Sequence, residues 1–167
     1  MRKSLLFGVI ALFFSNFLNA QVRIESKFFF RYTVEALFGD KQYTVFIVKF
    51  KNEGKKSLRI GDNYLLLTDT GKKYRPRPAL WMRKDIRDRE KVKDKFIWIG
   101  PIPPGKEKER IVVFNPVDKK AKEITLLIYG IYENYRYELK YKKIGKVWKC
   151  EGGKFTKIPP KRWKTLR

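Results

Sequence analysis

The sequence contains no histidine and a single cysteine, and these two shortages exclude much of enzyme chemistry. Without histidine there is no imidazole base and no imidazole metal ligand, and neither a Ser-His-Asp nor a Cys-His arrangement can form. The one cysteine, Cys150, can complete neither a cysteine-cluster zinc site nor an internal disulfide. We therefore predict no catalytic residues, no metal site and no cofactor, and we do not predict an enzyme.

Acidic residues are also scarce, since 17 Asp and Glu stand against 40 Lys and Arg and give a formal net charge of +23. The 167 residues include 43% apolar and 16% aromatic residues, which is enough to fill one core. The densest acidic group lies among Lys and Arg, so local ion pairing explains it better than paired catalytic carboxylates. Its members are Asp85, Asp88, Glu90 and Asp94.

The first twenty residues have the pattern of an export signal. Arg2 and Lys3 precede an apolar run at residues 5–14, and a more polar stretch ends at Ala20, the expected cleavage position. A membrane-spanning helix needs about 20 mostly apolar residues, which this run does not reach. We expect cleavage after Ala20 and export to the periplasm or beyond. An uncleaved membrane anchor and a buried helix are the alternatives.

From Val22 onward apolar and polar residues alternate, which is typical of half-buried β-strands. Residues 22–36 and 43–50 flank Gly39-Asp40-Lys41 and predict a hairpin, with Phe28, Phe30 and Tyr32 on one face. Seven to eight short strands separated by turns predict an all-β, immunoglobulin-like antiparallel sandwich over residues 21–141. The further predicted strands are residues 64–67, 97–99, 110–114, 124–132 and 135–141.

Two basic segments do not show this alternation of apolar and polar residues. Residues 72–95 contain eleven Lys and Arg against four Asp and Glu and predict an insertion, with a short helix at about 79–92 that is stabilised by Lys84/Asp88 and Asp85/Arg89 pairs. Residues 142–167 predict a mobile basic tail, with little fixed structure after Glu151-Gly152-Gly153. We expect Cys150 to be an unpaired thiol and do not expect a disulfide-linked dimer.

The middle of the chain, about residues 43–132, carries a succession of ordered motifs. They include Phe50-Lys51-Asn52-Glu53-Gly54, Leu66-Leu67-Thr68-Asp69-Thr70-Gly71-Lys72-Lys73-Tyr74, Pro104-Gly105-Lys106-Glu107 and Val112-Val113-Phe114-Asn115-Pro116. This succession resembles the exported bacterial immunoglobulin-like domains of unknown function that are often carried on lipoproteins. The resemblance implies the fold and no activity. This chain lacks the lipid-anchor cysteine and adds the basic insertion and tail, where we expect any acquired function.

The cationic surface carries the functional prediction, because a strongly basic molecule recruits anionic polymers and headgroups. Tryptophan among cations adds an interfacial or stacking group. We predict an exported, non-catalytic module that binds anionic envelope polymer or lipid headgroups. The predicted binding residues are Lys72, Lys73, Arg75, Arg77, Trp81, Arg83, Lys84, Lys161, Arg162, Trp163 and Lys164.

Three alternatives remain open for this surface. The first is nucleic-acid binding at the cell surface, which would weaken log-linearly with salt. The second is an assembly subunit that pairs an exposed sheet edge with another envelope protein. The third is a basic surface with no dedicated polyanion partner, on a protein whose Trp81 and Trp98 are core residues.

Overall fold

The structure, a computed structural model, describes residues 9–14, 21–35, 37–61, 63–77, 80–94 and 100–159. No helix in this part of the chain is long and apolar enough to span a membrane. The predicted strand at residues 97–99 lies outside the described residues. The elements are β1 (Val9–Phe14), β2 (Val22–Val34), β3 (Lys41–Asn52), β4 (Asn63–Thr68), β5 (Lys73–Tyr74), α1 (Leu80–Glu90), β6 (Glu107–Phe114), β7 (Glu123–Tyr129), β8 (Tyr135–Ile144) and β9 (Val147–Lys157).

The strands form two antiparallel sheets that pack as a sandwich, as predicted. One sheet has the order β2-β3-β6, with β1 added at the edge beside β2, and the other has the order β5-β4-β7-β8-β9. Aromatic rings fill the space between the sheets: the Phe28 centroid lies 4.7 Å from that of Phe46 and 4.8 Å from that of Tyr141. Strands β6 and β5 are edge strands of their sheets, and β5 lies at the start of the basic insertion.

Helix α1 covers the outer face of the sheet formed by β2, β3 and β6. Met82 and Ile86 lie four residues apart, hence on one helix face, and both are fully buried in a second, smaller core. The helix ends where Lys91 takes a positive φ of 54° and the Val92 N–H donates to the Arg87 carbonyl, a Schellman-type cap. The short helix predicted in the insertion is confirmed.

A bulge in β2 changes which residues face the main core. The pairing register with β3 shifts between Phe29 and Tyr32. Phe28 is buried between the sheets, whereas Phe29 and Tyr32 are buried against α1. Phe30 still packs against the main core together with Phe28. The prediction that Tyr32 shares their face is wrong, because an extra residue in one strand reverses the faces of the residues that follow it.

The prediction of little fixed structure after residue 153 is wrong as far as Lys157. Strand β9 continues through Gly153 and pairs with β8 along its length. A Cβ at Gly153 would clash with Tyr137 Oη, so the tyrosine fills the space left by the missing side chain. Trp148 and Phe155 of β9 are buried in the main core, 7% and 8% exposed. The sandwich thus extends beyond residue 141.

Part of the predicted leader lies at a sheet edge as β1. It pairs antiparallel with β2, from Val9 opposite Phe28 to Phe14 opposite Arg23. The alternative of a buried helix is therefore wrong over these six residues. Residues 1–8 and 15–20 lie outside the described residues. Cleavage after Ala20 and export stay predictions.

Candidate anion-binding site

A short extended segment, residues 75–77, connects the edges of the two sheets. It follows β5, and the Arg77 N–H donates to the Val113 carbonyl of β6 at 2.7 Å. Pro76 fixes its own backbone and holds the preceding Arg75 in an extended conformation. Residues two apart in an extended segment project to the same side. Arg75 and Arg77 accordingly line the same cleft, between β4 of one sheet and β6 of the other.

Next to this segment, a buried carboxylate binds two arginines from different elements. The Asp94 side chain is 0% exposed. Its Oδ2 accepts hydrogen bonds from Nη2 and Nε of Arg83 on α1 at 2.7 and 3.2 Å, and its Oδ1 lies 3.4 Å from Nη1 of Arg110 on β6. Oδ2 also accepts from the Ile111 backbone N–H at 3.2 Å. Because separating a buried pair leaves an uncompensated charge, both guanidinium groups are held firmly in place.

An open cleft of about 400 Å³, which we call the arginine cleft, is lined by Arg75, Arg77, Arg83 and Arg110. Arg83 and Arg110 are buried, whereas Arg75 and Arg77 are exposed, so the cleft has fixed cations inside and accessible cations at its mouth. Its described lining consists of Arg75, Arg77, Arg83, Arg110, Asn63, Tyr64, Pro76, Ile111, Val112 and Val113.

The arginine cleft is lined by four guanidinium groups, and Asp94 is a counter-charge to two of them. Arginine stays protonated at every physiological pH, and its planar fork of donors matches carboxylate and phosphate oxygens. The cleft can therefore bind an anionic group by charge-assisted hydrogen bonds.

Three of the predicted binding residues meet at this cleft, and one of them is not a surface group. Arg75 and Arg77 are exposed, as a binding role requires. Arg77 also donates from Nη1 to Asn115 Oδ1 at 2.9 Å, which orients its side chain. Arg83 is only 9% exposed and is bonded to Asp94, so it forms part of the cleft wall rather than of an open cationic face.

Lys72 and Lys73 lie at the turn into β5, and neither is among the described lining residues of the cleft. The Lys72 ammonium donates to Asp118 Oδ2 at 2.8 Å. This hydrogen bond raises the pKa of Lys72 and lowers the pKa of Asp118. Lys73 is exposed. Both lysines therefore add to the field around the cleft without forming its wall.

Trp81 and Lys84 lie three residues apart on the solvent face of α1, a spacing that brings side chains together on a helix. Trp81 is 49% exposed, so the alternative that it is a core residue is wrong. Asp85 nearby binds Arg89 at 2.6 Å, which confirms one ion pair predicted from spacing. The predicted Lys84/Asp88 pair is wrong, because Asp88 pairs with Arg87 at 3.1 Å instead. Lys161, Arg162, Trp163 and Lys164, and also Trp98, lie outside the described residues.

Sequence reasoning missed Arg110 and the role of Asp94. Arg110 stands in phase with the core residues Val112 and Phe114 of β6, so an arginine at a core position was the available signal. Asp94 gave no such signal, because its partners lie 11 and 16 residues away in the chain. Only the packing of α1 against β6 brings the three groups together.

Other chemistry is sparse in the described part of the chain. No group of three or more Asp, Glu, His or Cys side chains there could hold a metal ion. Cys150 is a free, half-buried thiol, and burial raises its pKa, which lowers its reactivity at neutral pH.

Comparisons with known proteins add little. No family profile and no curated protein matches this sequence. Among solved structures, the crystal structure of a conserved hypothetical protein from Bacillus anthracis is similar, with 12% identity and a TM-score of 0.46 over 74% of this chain and 94% of that chain. A likeness this distant identifies no function.

Proposed function

We propose that this protein is an exported, non-catalytic module that binds anionic envelope material, such as wall polymer or lipid headgroups. One observation carries the proposal: four arginines from three separate parts of the chain line one open cleft, and a single buried carboxylate holds two of them. Scattered surface lysines would attract polyanions with no preferred position. A cleft of fixed guanidinium groups offers a defined place for an anionic group.

The rest of the insertion supports the same function. Lys73, Lys84 and Trp81 are exposed near the chain segments that build the cleft. Cations attract anionic surfaces over about 8 Å at physiological salt, and an exposed indole stacks or lies at an interface. The net charge of +23 adds a general attraction to any polyanion. The resemblance to exported immunoglobulin-like domains agrees with a location in the envelope.

The test compares two charge-matched variants of the exported protein. Arg75→Gln with Arg77→Gln removes two cations from the arginine cleft, and Lys55→Gln with Lys56→Gln removes two exposed cations elsewhere. Retention on heparin, on phosphatidylglycerol vesicles and on single-stranded DNA is measured at low and high salt. We expect the cleft variant to elute at clearly lower salt than the control variant. Equal losses would reduce the binding to general charge and contradict the proposal.

The same measurements separate the partner classes. Retention on single-stranded DNA with none on anionic vesicles would favour the nucleic-acid alternative. A third variant that ends at Pro159 removes the four predicted tail residues and leaves β9 complete. If this variant binds as well as the full chain, the tail takes no part.

A second candidate function rests on the edge of β2. In the structure the residues of the predicted leader occupy this edge, with six residue pairs between β1 and β2. Cleavage after Ala20 would leave β2 as an open edge, and an open edge strand is a template for strand addition from another chain. Such a subunit would form a complex that survives high salt, whereas binding through the arginine cleft weakens with salt.

A further inference from the structure

Four exposed apolar side chains lie at one end of the sandwich. Leu37 and Phe38, in the loop between β2 and β3, are each 98% exposed, and Ile144 and Val147, at the tip of the β8–β9 hairpin, are 53% and 45% exposed. Among the described residues, Trp81 on α1 is the one other large apolar side chain with such exposure. We call Leu37, Phe38, Ile144 and Val147 the apolar tips. Exposed apolar side chains gathered in one region mark an interaction surface.

The strand registers bring the two loops to the same end. Strand β6 ends beside the β2–β3 loop, because its last residue, Phe114, pairs with Thr44. Residues 115–122 then lead to β7, which begins beside the end of β8. The rings of Phe30 on β2 and Trp148 on β9 stack with their centroids 5.0 Å apart, which joins the two sheets next to the apolar tips.

The β8–β9 hairpin presents its apolar pair outward. Ile144 and Val147 pair across a two-residue turn, Gly145-Lys146, in which Gly145 takes a positive φ of 63°. Residues paired across neighbouring strands project to the same face of a sheet. The next pair, Lys143 with Trp148, projects to the other face, where Trp148 is buried in the main core. Ile144 and Val147 therefore face away from the core.

Lysines are the commonest charged residues around the apolar tips. Three carboxylates at this end already have partners: Asp69 accepts a hydrogen bond from a backbone N–H, and Asp118 and Glu123 form salt bridges with lysines. Glu35 and Asp40 are exposed in the β2–β3 loop. The exposed lysines at this end outnumber these two carboxylates and include Lys41, Lys119, Lys120, Lys122, Lys146 and Lys149.

An anionic lipid membrane matches both features of this end. Apolar side chains gain free energy among acyl chains, while lysine stems keep their ammonium groups at the headgroup phosphates. Each lysine near an anionic bilayer strengthens binding about fivefold. A wall polymer offers charge without an apolar phase. A stable protein interface buries roughly 800 Å² on each partner, which four side chains on separate loops do not supply, whereas a fluid lipid surface adapts to separate tips.

We infer that this end of the sandwich binds the surface of an anionic lipid membrane, with the apolar tips among the acyl chains and the lysines at the headgroup phosphates. The inference rests on the proposed function and deepens it, since it names lipid as the anionic envelope partner. The opposite end of the sandwich, with residues 53–57 after β3, faces away from the membrane.

The test measures cosedimentation of the exported protein with vesicles of equimolar phosphatidylglycerol and phosphatidylcholine. Leu37→Ser with Phe38→Ser should weaken this binding about tenfold or more and leave retention on heparin unchanged, because heparin has no acyl chains. Ile144→Thr with Val147→Thr keeps residues that favour strands and should weaken vesicle binding about threefold or more. Leu37 and Phe38 are almost fully exposed, so their variant should keep the thermal midpoint of the unchanged protein. Unchanged vesicle binding, or equal losses on vesicles and on heparin, would overturn the inference.

Charge variants locate the lysines that act. Lys146→Gln with Lys149→Gln removes two exposed cations beside the apolar tips, and Lys55→Gln with Lys56→Gln removes two at the opposite end. The first variant should weaken vesicle binding about tenfold or more, and the second less than about threefold. Equal losses in the two variants would reduce the binding to general charge and overturn the inference.

A tryptophan probe reports insertion directly. Phe38→Trp should add fluorescence that is quenched by vesicles whose lipids carry bromine on their acyl chains, since this tip lies among those chains. Ser57→Trp places the same probe at an exposed position of the opposite end without changing the charge, and its added fluorescence should not be quenched. Quenching of neither probe, or of both equally, would overturn the inference.

The two proposals fail separately. Retention on heparin that the Arg75→Gln, Arg77→Gln variant loses, together with no binding to vesicles, would keep the proposed function and overturn the membrane surface. Vesicle binding that the Leu37→Ser, Phe38→Ser variant loses and the arginine variant keeps would support the membrane surface and remove the arginine cleft from the function.

Discussion

A single carboxylate, Asp94, joins the helix of the insertion to the edge strand of the sandwich. Asp94→Asn keeps the shape of the side chain and removes its charge, so Arg83 and Arg110 lose the buried carboxylate that both of them bind. Removal of one partner from a buried ion pair costs about 3–5 kcal/mol. We expect the free energy of unfolding, measured with urea, to fall by about 3 kcal/mol.

The matched control at this scale is Asp88→Asn, which removes an exposed carboxylate of the same helix from its pair with Arg87. Exposed pairs contribute about 0–1 kcal/mol, so this variant should differ little from the unchanged protein. If both variants lose the same stability, Asp94 is not a buried connection and the arginine cleft has no fixed inner wall.

Strand β9 is the element that the sequence pattern did not predict, because its residues were expected to form a mobile tail. A chain that ends at Gly152 loses residues 153–157, their pairing with β8 and the buried ring of Phe155, which lies 5.0 Å from the Tyr137 ring. Loss of a buried phenylalanine alone costs about 3–5 kcal/mol. Thermal unfolding followed by circular dichroism should show a large drop in midpoint for this chain.

A chain that ends at Pro159 keeps all of β9 and serves as the comparison. Its midpoint should lie close to that of the full chain. Two shortened chains of equal stability would mean that β9 is not part of the sandwich.

Local patterns account for most of the strands and for the helix, because each depends on residues close in sequence. Alternation over residues 43–50 predicted the centre of β3, and the charged stretch around Asp85 and Arg89 predicted α1. The faces after the β2 bulge were not predictable, since register is set by the partner strand. In the sequence, Gly152-Gly153 predicts the end of ordered structure, whereas in the fold Gly153 leaves the space that the Tyr137 side chain occupies.

The residues of the candidate site also divide into those predicted from local sequence and those that only tertiary packing brings together. Arg75 and Arg77 were predicted from the density of cations in the insertion, which is a local property. Arg110 and Asp94 belong to the site only because α1 folds back on β6, and no local pattern carries that information. Ion pairs between distant parts of a chain are decided by packing, so the arginine cleft could be found only from the fold.

For the molecule as a whole, the net charge of +23 destabilises the compact state through self-repulsion. At about 0.01 M salt the screening length is about 30 Å, which exceeds most distances within a domain of this size, and at about 0.15 M it is about 8 Å. Added sodium chloride also weakens favourable pairs, such as that of Lys142 with Glu123, but exposed pairs contribute only about 0–1 kcal/mol each. Because cations outnumber anions by more than two to one, relief of repulsion should prevail.

We therefore expect the thermal midpoint to rise by about 3 °C between low and physiological sodium chloride, equivalent to about 1 kcal/mol for a chain of this length. Sodium phosphate at the same ionic strength should raise the midpoint further, because an anion bound to the folded state alone adds stability by mass action. The extra rise should disappear in the Arg75→Gln, Arg77→Gln variant while the chloride effect remains, since that variant keeps most of the net charge. A midpoint that falls with chloride would show that attractive pairs dominate the surface, and an extra phosphate effect that survives in the variant would place the bound anion outside the arginine cleft.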